Sequence, residues 1–317
     1  MSNRGNYTSK LCGTNVRFSP FEQGKLVISQ AQNYGIVGNG SVSIVQMDDR
    51  GLVDVLFEYA TQDACYDACF NEENENQIIT GCGDGQIKLW DFMHQQPIFS
   101  YSEHTQEVFS LEWSHINKRR FASASYDQTV KIWDATSDVS LYTFKHAFVV
   151  YQATWHPTHE SILASCSGDE TFRIWDLREG NDVKAVKAHD NEILTIDFNK
   201  YENFVATGCT DGSIKVWDLR ATLDEPLISL PGHLLACKKL KFSPYHANTL
   251  ISCSYDMSTC VWNIDEAKSP LMNRFDHHSE FVVGLDCSLF VEKQIATTSW
   301  DKKTSIFNFD EDPQLVA

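Results

Sequence analysis

The sequence predicts an all-β fold, a single-domain β-propeller of seven four-stranded blades that spans residues 1–317. A short pattern recurs every 42 to 45 residues along the chain. The 317 residues include eight Trp and 19 Phe, and aromatic side chains favour the half-buried surface of a pleated sheet. Strand-like segments separated by turn residues fill each repeat, as at 108–113, 121–125, 129–133 and 140–144. Together these three observations indicate sheets repeated around a ring.

The period is set by one residue, usually Trp, that closes each repeat. Trp-Asp occurs at 90–91, 133–134, 175–176 and 217–218, with degenerate copies at 262–263 and 307–308. Counting backward, Val45 takes the same place in the first repeat. The seven closing positions, near 45, 90, 133, 175, 217, 262 and 307, are 45, 43, 42, 42, 45 and 45 residues apart. This is the period of a four-stranded propeller blade.

Polar residues stand at fixed distances from the closing position. A hydroxyl residue lies ten residues before it and an Asp lies six before it. In five repeats a His lies 22 or 23 residues upstream of that Asp, and this spacing selects His278 over His277. The five sets are His104, Ser123, Asp127 and Trp133; His146, Ser165, Asp169 and Trp175; His189, Thr207, Asp211 and Trp217; His233, Ser252, Asp256 and Trp262; and His278, Thr297 and Asp301.

These residues and spacings resemble the WD-repeat family over essentially the whole chain. The resemblance implies that the His, Ser or Thr, Asp and Trp of a repeat form a hydrogen-bonded tetrad inside one blade. A His-Ser-Asp set is also the composition of a hydrolase triad. Because this set recurs in five repeats, whereas catalysis needs one constellation in one pocket, we expect a structural role and no enzymatic activity.

The two ends of the chain are expected to meet. After Phe307 only ten residues remain, and they are too short and too acidic to form the outer strand of the seventh blade. A segment at about residues 6–11 is expected to complete that blade. This pairing closes the ring and removes an exposed sheet edge.

Composition excludes several classes of ligand. The chain has 26 basic and 43 acidic residues, so its formal net charge is -17. Such a surface repels nucleic acid and anionic membranes, and it attracts basic peptides. The ten Cys contain no Cys-x-x-Cys pair and are interpreted as buried thiols in a reducing compartment. No metal, no cofactor and no membrane span is therefore expected.

One face of the propeller, which carries the His loops, gathers aromatic and acidic residues around the central channel. They are Tyr66, Phe109, Tyr126, Tyr151, Tyr255, Phe281 and Trp300, with Asp63, Glu107, Glu192 and Glu280 beside them. Each residue alone is equally well interpreted as a packing residue or a solvated charge. Together they suit an amphipathic basic peptide, because rings cover its apolar face and carboxylates pair with its Arg or Lys.

The first repeat departs from the common pattern. Sixteen residues, instead of ten, separate Ser29 from Val45, and the extra ones lie within 33–40. The spacing of the three glycines there, with no helix following, excludes a phosphate-binding loop. The segment is either a tolerated insertion or a rim loop that contacts a partner.

Several stretches resemble the receptor family for the type 2 peroxisomal targeting signal, the seventh peroxin family. They are Ala-Gln-Asn-Tyr-Gly-Ile-Val-Gly-Asn-Gly at 31–40, Ser-Tyr-Asp-Met-Ser at 254–258 and His-His-Ser-Glu-Phe-Val-Val-Gly at 277–284, with shorter stretches at 150–153 and 198–201. The resemblance is collinear from about residue 15 to residue 301. It implies a cytosolic receptor that cycles to the peroxisome with matrix enzymes as cargo.

The resemblance also implies the partners. They are N-terminal signals patterned Arg-Leu-x5-His-Leu, a co-receptor (the long form of the type 1 signal receptor or a fungal-type equivalent) and the peroxisomal docking complex. The patterned residues of such a signal fall on one face of a helix, so the ligand is amphipathic and basic. The alternative function is that of a WD-repeat scaffold or ubiquitin-ligase substrate adaptor that uses the same face.

Overall fold

The computed structural model describes residues 4–266 and 270–311, so the predicted domain 1–317 extends beyond the described residues at 1–3, 267–269 and 312–317. The described part contains 28 β-strands in seven four-stranded sheets and one short 3-10 helix. Each sheet is antiparallel throughout, with its strands in the order of the chain except at the ring closure. The predicted all-β fold of seven blades is confirmed.

The strands divide among the blades as follows. Strand β1 (Gly5–Thr8) precedes blade 1, which contains β2 (Cys12–Phe18), β3 (Lys25–Ala31), β4 (Gly40–Met47) and β5 (Val53–Thr61), with the 3-10 helix at Gln32–Gly35. Blade 2 contains β6 (Cys65–Phe70), β7 (Gln77–Cys82), β8 (Ile87–Asp91) and β9 (Phe99–Tyr101). Blade 3 contains β10 (Val108–Trp113), β11 (Arg120–Ser125), β12 (Thr129–Asp134) and β13 (Tyr142–Lys145). Blade 4 contains β14 (Val150–Trp155), β15 (Ile162–Ser167), β16 (Thr171–Asp176) and β17 (Asn181–Lys187).

The remaining strands complete the ring. Blade 5 contains β18 (Ile193–Phe198), β19 (Phe204–Cys209), β20 (Ile214–Asp218) and β21 (Ile228–Leu230). Blade 6 contains β22 (Cys237–Phe242), β23 (Thr249–Ser254), β24 (Thr259–Asn263) and β25 (Leu271–Phe275). Blade 7 contains β26 (Val282–Cys287), β27 (Gln294–Ser299) and β28 (Lys303–Asn308), and its fourth strand is β1.

The ring is closed by backbone pairing between the two ends of the described chain. Strand β1 pairs antiparallel with β28, from Gly5 opposite Ile306 to Thr8 opposite Lys303. An ion pair between Arg4 and Glu311 lies beside this pairing. The closing strand therefore occupies residues 5–8, slightly earlier than the 6–11 expected from the sequence.

The hydrophobic core is divided among seven seams between neighbouring blades. Each cluster of buried apolar residues combines side chains from two consecutive blades, and the seventh joins blade 7 to blade 1 through Ile306 and Val16. The closing residue of each repeat lies in the seam with the preceding blade, as Trp133 does between blades 2 and 3. The 42- to 45-residue period thus follows from one apolar residue per seam.

The cysteines are part of this core. All ten lie within the described residues, and each is a buried free thiol. Among the described residues, no helix has the length and apolar character needed to cross a membrane.

Candidate functional site

Inside blade 3, the polar residues at fixed spacing form one hydrogen-bonded chain. The Trp133 indole Nε1 donates to the Ser123 hydroxyl at 2.9 Å, and that hydroxyl lies 2.7 Å from His104 Nε2. The other imidazole nitrogen, Nδ1, lies 2.7 Å from the Asp127 carboxylate. One proton arrangement satisfies every group: Trp donates to Ser, Ser donates to His, and His donates to Asp. The Ser123 hydroxyl is fully buried beneath the Trp133 indole, so this hydrogen-bonded chain is part of the blade interior and is not open to a substrate.

The same chain recurs in blades 4 and 6. Its members are His146, Ser165, Asp169 and Trp175 in blade 4 and His233, Ser252, Asp256 and Trp262 in blade 6, with imidazole–hydroxyl distances of 2.7 Å in both. Burial alone would raise the pKa of Asp256. Hydrogen bonds from His233 and Ser258 have the larger, opposite effect, so the pKa of this carboxyl lies below its ordinary value. The carboxylate is therefore charged and held by its neighbours.

Blade 5 departs from the predicted tetrad, and the placement of Asp211 in it is wrong. His189 Nε2 lies 2.9 Å from the Thr207 hydroxyl, which also accepts the Trp217 indole N–H at 3.1 Å. However, His189 Nδ1 lies 3.0 Å from the Ser213 hydroxyl. Asp211 is exposed, and its carboxylate accepts the backbone N–H of Ser213 at 2.8 Å. Because Ser213 reaches the imidazole, its hydroxyl replaces the carboxylate.

The only group of three potential metal ligands among residues 4–266 and 270–311 is in this blade. His189, Cys209 and Asp211 have ligand atoms within 4.8 Å of one another. Both nitrogens of His189 already have hydroxyl partners, and burial raises the pKa of the Cys209 thiol to about 11. A protonated thiol is a poor ligand, so we interpret the group as a variant of the tetrad.

Blade 7 has a different substitution. His278 lies 2.9 Å from Asp301 through Nδ1 and 3.0 Å from Thr297 through Nε2, as the spacing predicts. The closing residue Phe307 has no N–H, and His277 packs edge-on against it with ring centroids 4.8 Å apart. His277 Nε2 lies 3.4 Å from the Thr297 hydroxyl. Burial, helped by His278, lowers the pKa of His277 to about 3, so this neutral imidazole takes the place of the missing indole.

The channel opening on the His-loop face is built from one irregularity in every blade. The pairing between the inner strand and the next strand shifts register across a single residue, namely Thr14, Tyr66, Phe109, Tyr151, Leu194, Lys238 and Val283 in blades 1 to 7. A β-bulge leaves such a residue unpaired and redirects its side chain. All seven line a recess of about 240 Å³, which we call the upper mouth.

Aromatic rings from blades 2 to 4 form one side of the upper mouth, which we call the first arc. Phe109 is its centre, 5.0 Å from Tyr66, 5.7 Å from Tyr151 and 6.2 Å from Tyr126 between ring centroids. Tyr126 belongs to the turn between β11 and β12, and its backbone N–H bonds the Glu107 carbonyl at 2.9 Å. The first arc therefore joins three inner strands to one turn.

A second arc faces it from blades 1, 6 and 7. Trp300 lies 5.0 Å from both Tyr34 and Phe281 and 6.0 Å from Tyr255, while Tyr255 stacks on Phe281 at 4.6 Å. Tyr34, Tyr255 and Trp300 line the recess. Phe281 precedes β26 and packs against Tyr255 and Trp300 but is not among the residues that line the recess. The predicted aromatic residues are thus brought together in two arcs.

The predicted carboxylates lie around these rings. Glu192 accepts a hydrogen bond from the Tyr151 hydroxyl at 2.6 Å, across the boundary between blades 4 and 5. Burial and the negative charges of Glu107 and Asp63 raise the pKa of Tyr66 to about 12, so both carboxylates act on the first arc. Glu280 is exposed beside the second arc. Three of the four carboxylates therefore concentrate at blades 2 to 5.

The extended loop of blade 1 reaches the upper mouth. The Tyr66 hydroxyl donates to the Gly35 carbonyl at 2.7 Å, which fixes the loop over blade 2. Gly35 has φ +82, and a Cβ there would lie 3.1 Å from the Tyr66 ring. Tyr34 reaches Trp300, while Ile36 and Val37 are 83% and 65% exposed. The insertion therefore contributes one ring to the recess and presents two apolar side chains to solvent.

Sequence reasoning missed Tyr34, Leu194, Lys238 and Lys239, which also line the recess. Lys238 Nζ lies 5.8 Å from the centroid of the Tyr151 ring. Burial and the nearby Arg17 lower the pKa of Lys239 to about 8. The upper mouth is therefore acidic at its rim and basic in its depth. The position of the bulged residues is a regular feature of the repeat: each one stands four positions before the last residue of its inner strand.

Comparison with known proteins gives consistent results. Residues 55–91, 95–134, 138–176, 180–218 and 224–263 match the family described as WD domain, G-beta repeat. The chain is 44% identical over 299 residues to the Peroxisomal targeting signal 2 receptor of Mus musculus, covering 93% of each chain. It is 49% identical over 292 residues to the protein of that name from Dictyostelium discoideum, covering 91% of this chain and 92% of the relative.

A plant relative extends the comparison. The Peroxisome biogenesis protein 7 of Arabidopsis thaliana is 44% identical over 308 residues, which cover 95% of this chain and 96% of the relative. Each of these three alignments covers more than nine-tenths of this chain and of the relative. The chain therefore belongs to the peroxisomal targeting signal 2 receptor family of WD-repeat β-propellers.

Proposed function

We propose that this chain is a receptor for type 2 peroxisomal targeting signals and that it binds them at the upper mouth. The relatives carry this function in their names. The observation that supports the site most directly is that two aromatic arcs meet at one recess, with Glu192 bonded to the Tyr151 hydroxyl and with Asp63 and Glu107 close to Tyr66. Such a surface is complementary to a helix with apolar residues and cations on one face.

The dimensions suit this ligand. A nine-residue helical signal is about 13 to 14 Å long and about 10 to 12 Å wide with its side chains. Its Leu residues are placed against the rings of the two arcs, which are half-buried and offer faces and edges. Its Arg is placed against carboxylates that are partly shielded from water, where a charge-assisted hydrogen bond is stronger than at a fully exposed site.

The charges at the mouth also favour one orientation of the signal. Asp63 and Glu107 lie at blades 2 and 3, beside Tyr66, whereas Lys238 belongs to blade 6. A cation is attracted to the side of Asp63 and Glu107 and is repelled by the side of Lys238. We therefore place the N-terminal Arg of the signal at blades 2 and 3.

The extended loop is proposed to contact the co-receptor. Ile36 and Val37 are the exposed apolar tip of this loop, while Tyr34 joins the recess. A second protein that covers the signal at this rim buries apolar surface from the loop and the signal together, which stabilises the ternary complex. In this proposal the receptor collects cargo in the cytosol with its co-receptor, engages the peroxisomal docking complex and returns.

The test is charge reversal at the rim. We expect Glu107→Lys combined with Glu192→Lys to weaken binding of a fluorescent Arg-Leu-x5-His-Leu peptide by about ten- to hundredfold. A lost charge-assisted contact is worth about 1.5–3 kcal/mol, and about 1.4 kcal/mol corresponds to a factor of ten. Fluorescence anisotropy at low and high salt, with and without co-receptor, measures the change.

The matched control changes the same charge on the other face. Asp138 and Glu160 are exposed residues of loops at the opposite end of the blades. Asp138→Lys combined with Glu160→Lys is expected to leave peptide affinity within about twofold of wild type. Equal peptide affinity of the Glu107/Glu192 variant and the wild type, with both proteins folded, would overturn the proposed site.

A further inference from the structure

The opposite end of the channel holds a second recess, which no step of the proposed function uses. It has a volume of about 450 Å³ and lies where the inner strands end, so we call it the lower recess. The residue before the last in each inner strand occupies one register level there: Arg17, Cys69, Glu112, Thr154, Asp197, Lys241 and Asp286. All of these except Thr154 line the recess. Five of these seven residues are charged, so we call this level the charged ring.

Most of these charges already have partners. Arg17 lies 3.2 Å from Asp67, and Lys241 lies 3.4 Å from Asp197. The Asp286 carboxylate accepts the backbone N–H of Phe18 at 2.8 Å. Because each buried cation has its own carboxylate, neither is free to bind an anion.

Glu112 is the exception. It is 5% exposed, and its Oε2 has no hydrogen-bond partner among the described residues. Its Oε1 is 3.9 Å from His115 Nε2, and His115 Nδ1 is bonded to Glu72 at 2.9 Å. A buried carboxylate oxygen without a donor costs free energy until a donor reaches it. The missing group is therefore a hydrogen-bond donor. Arg17 and Lys241 also act on Glu112, but each is already paired with an Asp, whereas Glu72 and Asp286 add negative charge to the recess, so a cation is favoured.

The walls and rim of the recess are largely apolar, and the polar residues that line it outside the charged ring are Glu72, His115, Lys200 and Ser243. Phe70, Trp113, Phe198 and Phe242 end their inner strands there and line the sides. At the rim Leu289 is 52% exposed, and the neighbouring Phe290 is 44% exposed. A ligand that fills this space needs a cationic head at Glu112, an apolar stem that runs along the walls, and an apolar neighbour at the rim. A Lys or Arg side chain within a peptide has this composition.

We propose that the lower recess binds a Lys or Arg side chain of a partner polypeptide, with its cationic head at Glu112 and its stem against the aromatic walls. This inference goes beyond the proposed function and is independent of it. The two openings lie at opposite ends of the channel, so a partner held at the lower recess leaves the upper mouth free for a targeting signal. The receptor then binds two polypeptides at the same time.

The test uses two tryptophans as separate reporters. Trp113 lines the lower recess and Trp300 lines the upper mouth, so the indole N–H resonances distinguish the two ends in NMR spectra of ¹⁵N-labelled protein. The probe is the peptide acetyl-Leu-Arg-Leu-amide, and its citrulline counterpart is the uncharged control of equal shape. We expect saturable shifts of Trp113 with the arginine peptide and at least tenfold weaker affinity for the citrulline peptide.

Variants of the protein test whether the shift of the Trp113 resonance depends on Glu112. Glu112→Gln is expected to weaken the Trp113-detected affinity at least tenfold, whereas Glu192→Gln at the upper mouth leaves it unchanged. Leu289→Lys places a cation at the rim without altering the charged ring, so it gives the same loss if Glu112→Gln fails to fold. An unmoved Trp113 resonance, equal binding of the two peptides, or wild-type affinity in these recess variants overturns the proposal. Shifts confined to Trp300 overturn it too, while leaving the proposed function intact.

Discussion

The tetrads and the upper mouth are formed by the same loops and turns. Residue types recur from blade to blade in the tetrads, whereas they vary at the mouth. Tyr126 and Asp127 are adjacent, as are Trp300 and Asp301, and in each pair the first residue belongs to an arc and the second to a tetrad. In blades 2 to 7 the second residue of this pair is always Asp. The neighbouring position changes from blade to blade. Repetition here marks stability, and variation within a repeated frame marks recognition.

Asp127→Ala is expected to have the largest effect on stability while leaving recognition of the signal unchanged. The substitution leaves the His104 Nδ1–H and the Thr105 backbone N–H without their acceptor, so we expect a loss of about 1–3 kcal/mol in the free energy of unfolding. Urea unfolding measures the loss, and signal-peptide affinity of the folded variant stays at the wild-type value. The matched control is Asp211→Ala, whose exposed carboxylate is outside a tetrad, and its expected cost is below about 0.5 kcal/mol. Equal destabilisation by the two substitutions would contradict the assignment of Ser213 to the blade 5 tetrad.

The converse change is Trp300→Ala. It removes the central ring of the second arc, and we expect about tenfold weaker binding of the signal peptide from the lost apolar and aromatic contact. The salt dependence of binding is expected to match that of the wild type, because no charge is removed. Anisotropy titrations over a range of salt concentrations test both statements. A changed salt slope would show that Trp300 acts through the carboxylates.

A third experiment measures how the free energy of unfolding depends on pH through His277, which supports the tetrad of blade 7. The pKa of His277 is about 3 in the folded chain and about 6.5 in an unfolded chain, so the unfolded state binds more protons between these values. The folded state is therefore destabilised as pH falls below about 6.5, by about 1 kcal/mol near pH 5.5 for this one group. His277→Gln keeps an N–H donor without titrating, and we expect its unfolding free energy to fall less over this interval by that amount. His156 and His189, whose pKa values are lowered to about 4, contribute equally in both proteins.

The smallest effect is expected for Tyr66→Phe. The variant keeps the ring of the first arc and loses the hydrogen bond to Gly35, a net contribution of about 0.5–1.5 kcal/mol. Amide exchange in the loop is then expected to accelerate by no more than about tenfold at Ile36, whose N–H bonds the Asn33 carbonyl. Hydrogen–deuterium exchange measures this, and unchanged exchange would show that the loop is held by its own contacts.

The sequence was sufficient for the fold because one apolar residue per seam and one polar set per blade recur at measurable distances. It was less informative at the mouth. Tyr66, Phe109 and Tyr151 were found by residue type, but Leu194 and Lys238 occupy the same bulge and were missed because their side chains are not aromatic or acidic. Asp211 was misplaced because spacing cannot show which of two oxygens, on Asp or on Ser213, reaches an imidazole.

Ring closure has a consequence for biosynthesis. Strand β1 is made first and its partner β28 last, so residues 5–8 leave the ribosome long before residues 303–306 exist. Until then the last seam, in which Ile306 meets Val16, exposes apolar surface on both blade 1 and the growing end. Blades can pair as they emerge, yet the closed molecule forms only after translation of the final repeat. The apolar surface of this seam therefore stays unpaired at least until the final repeat has been translated.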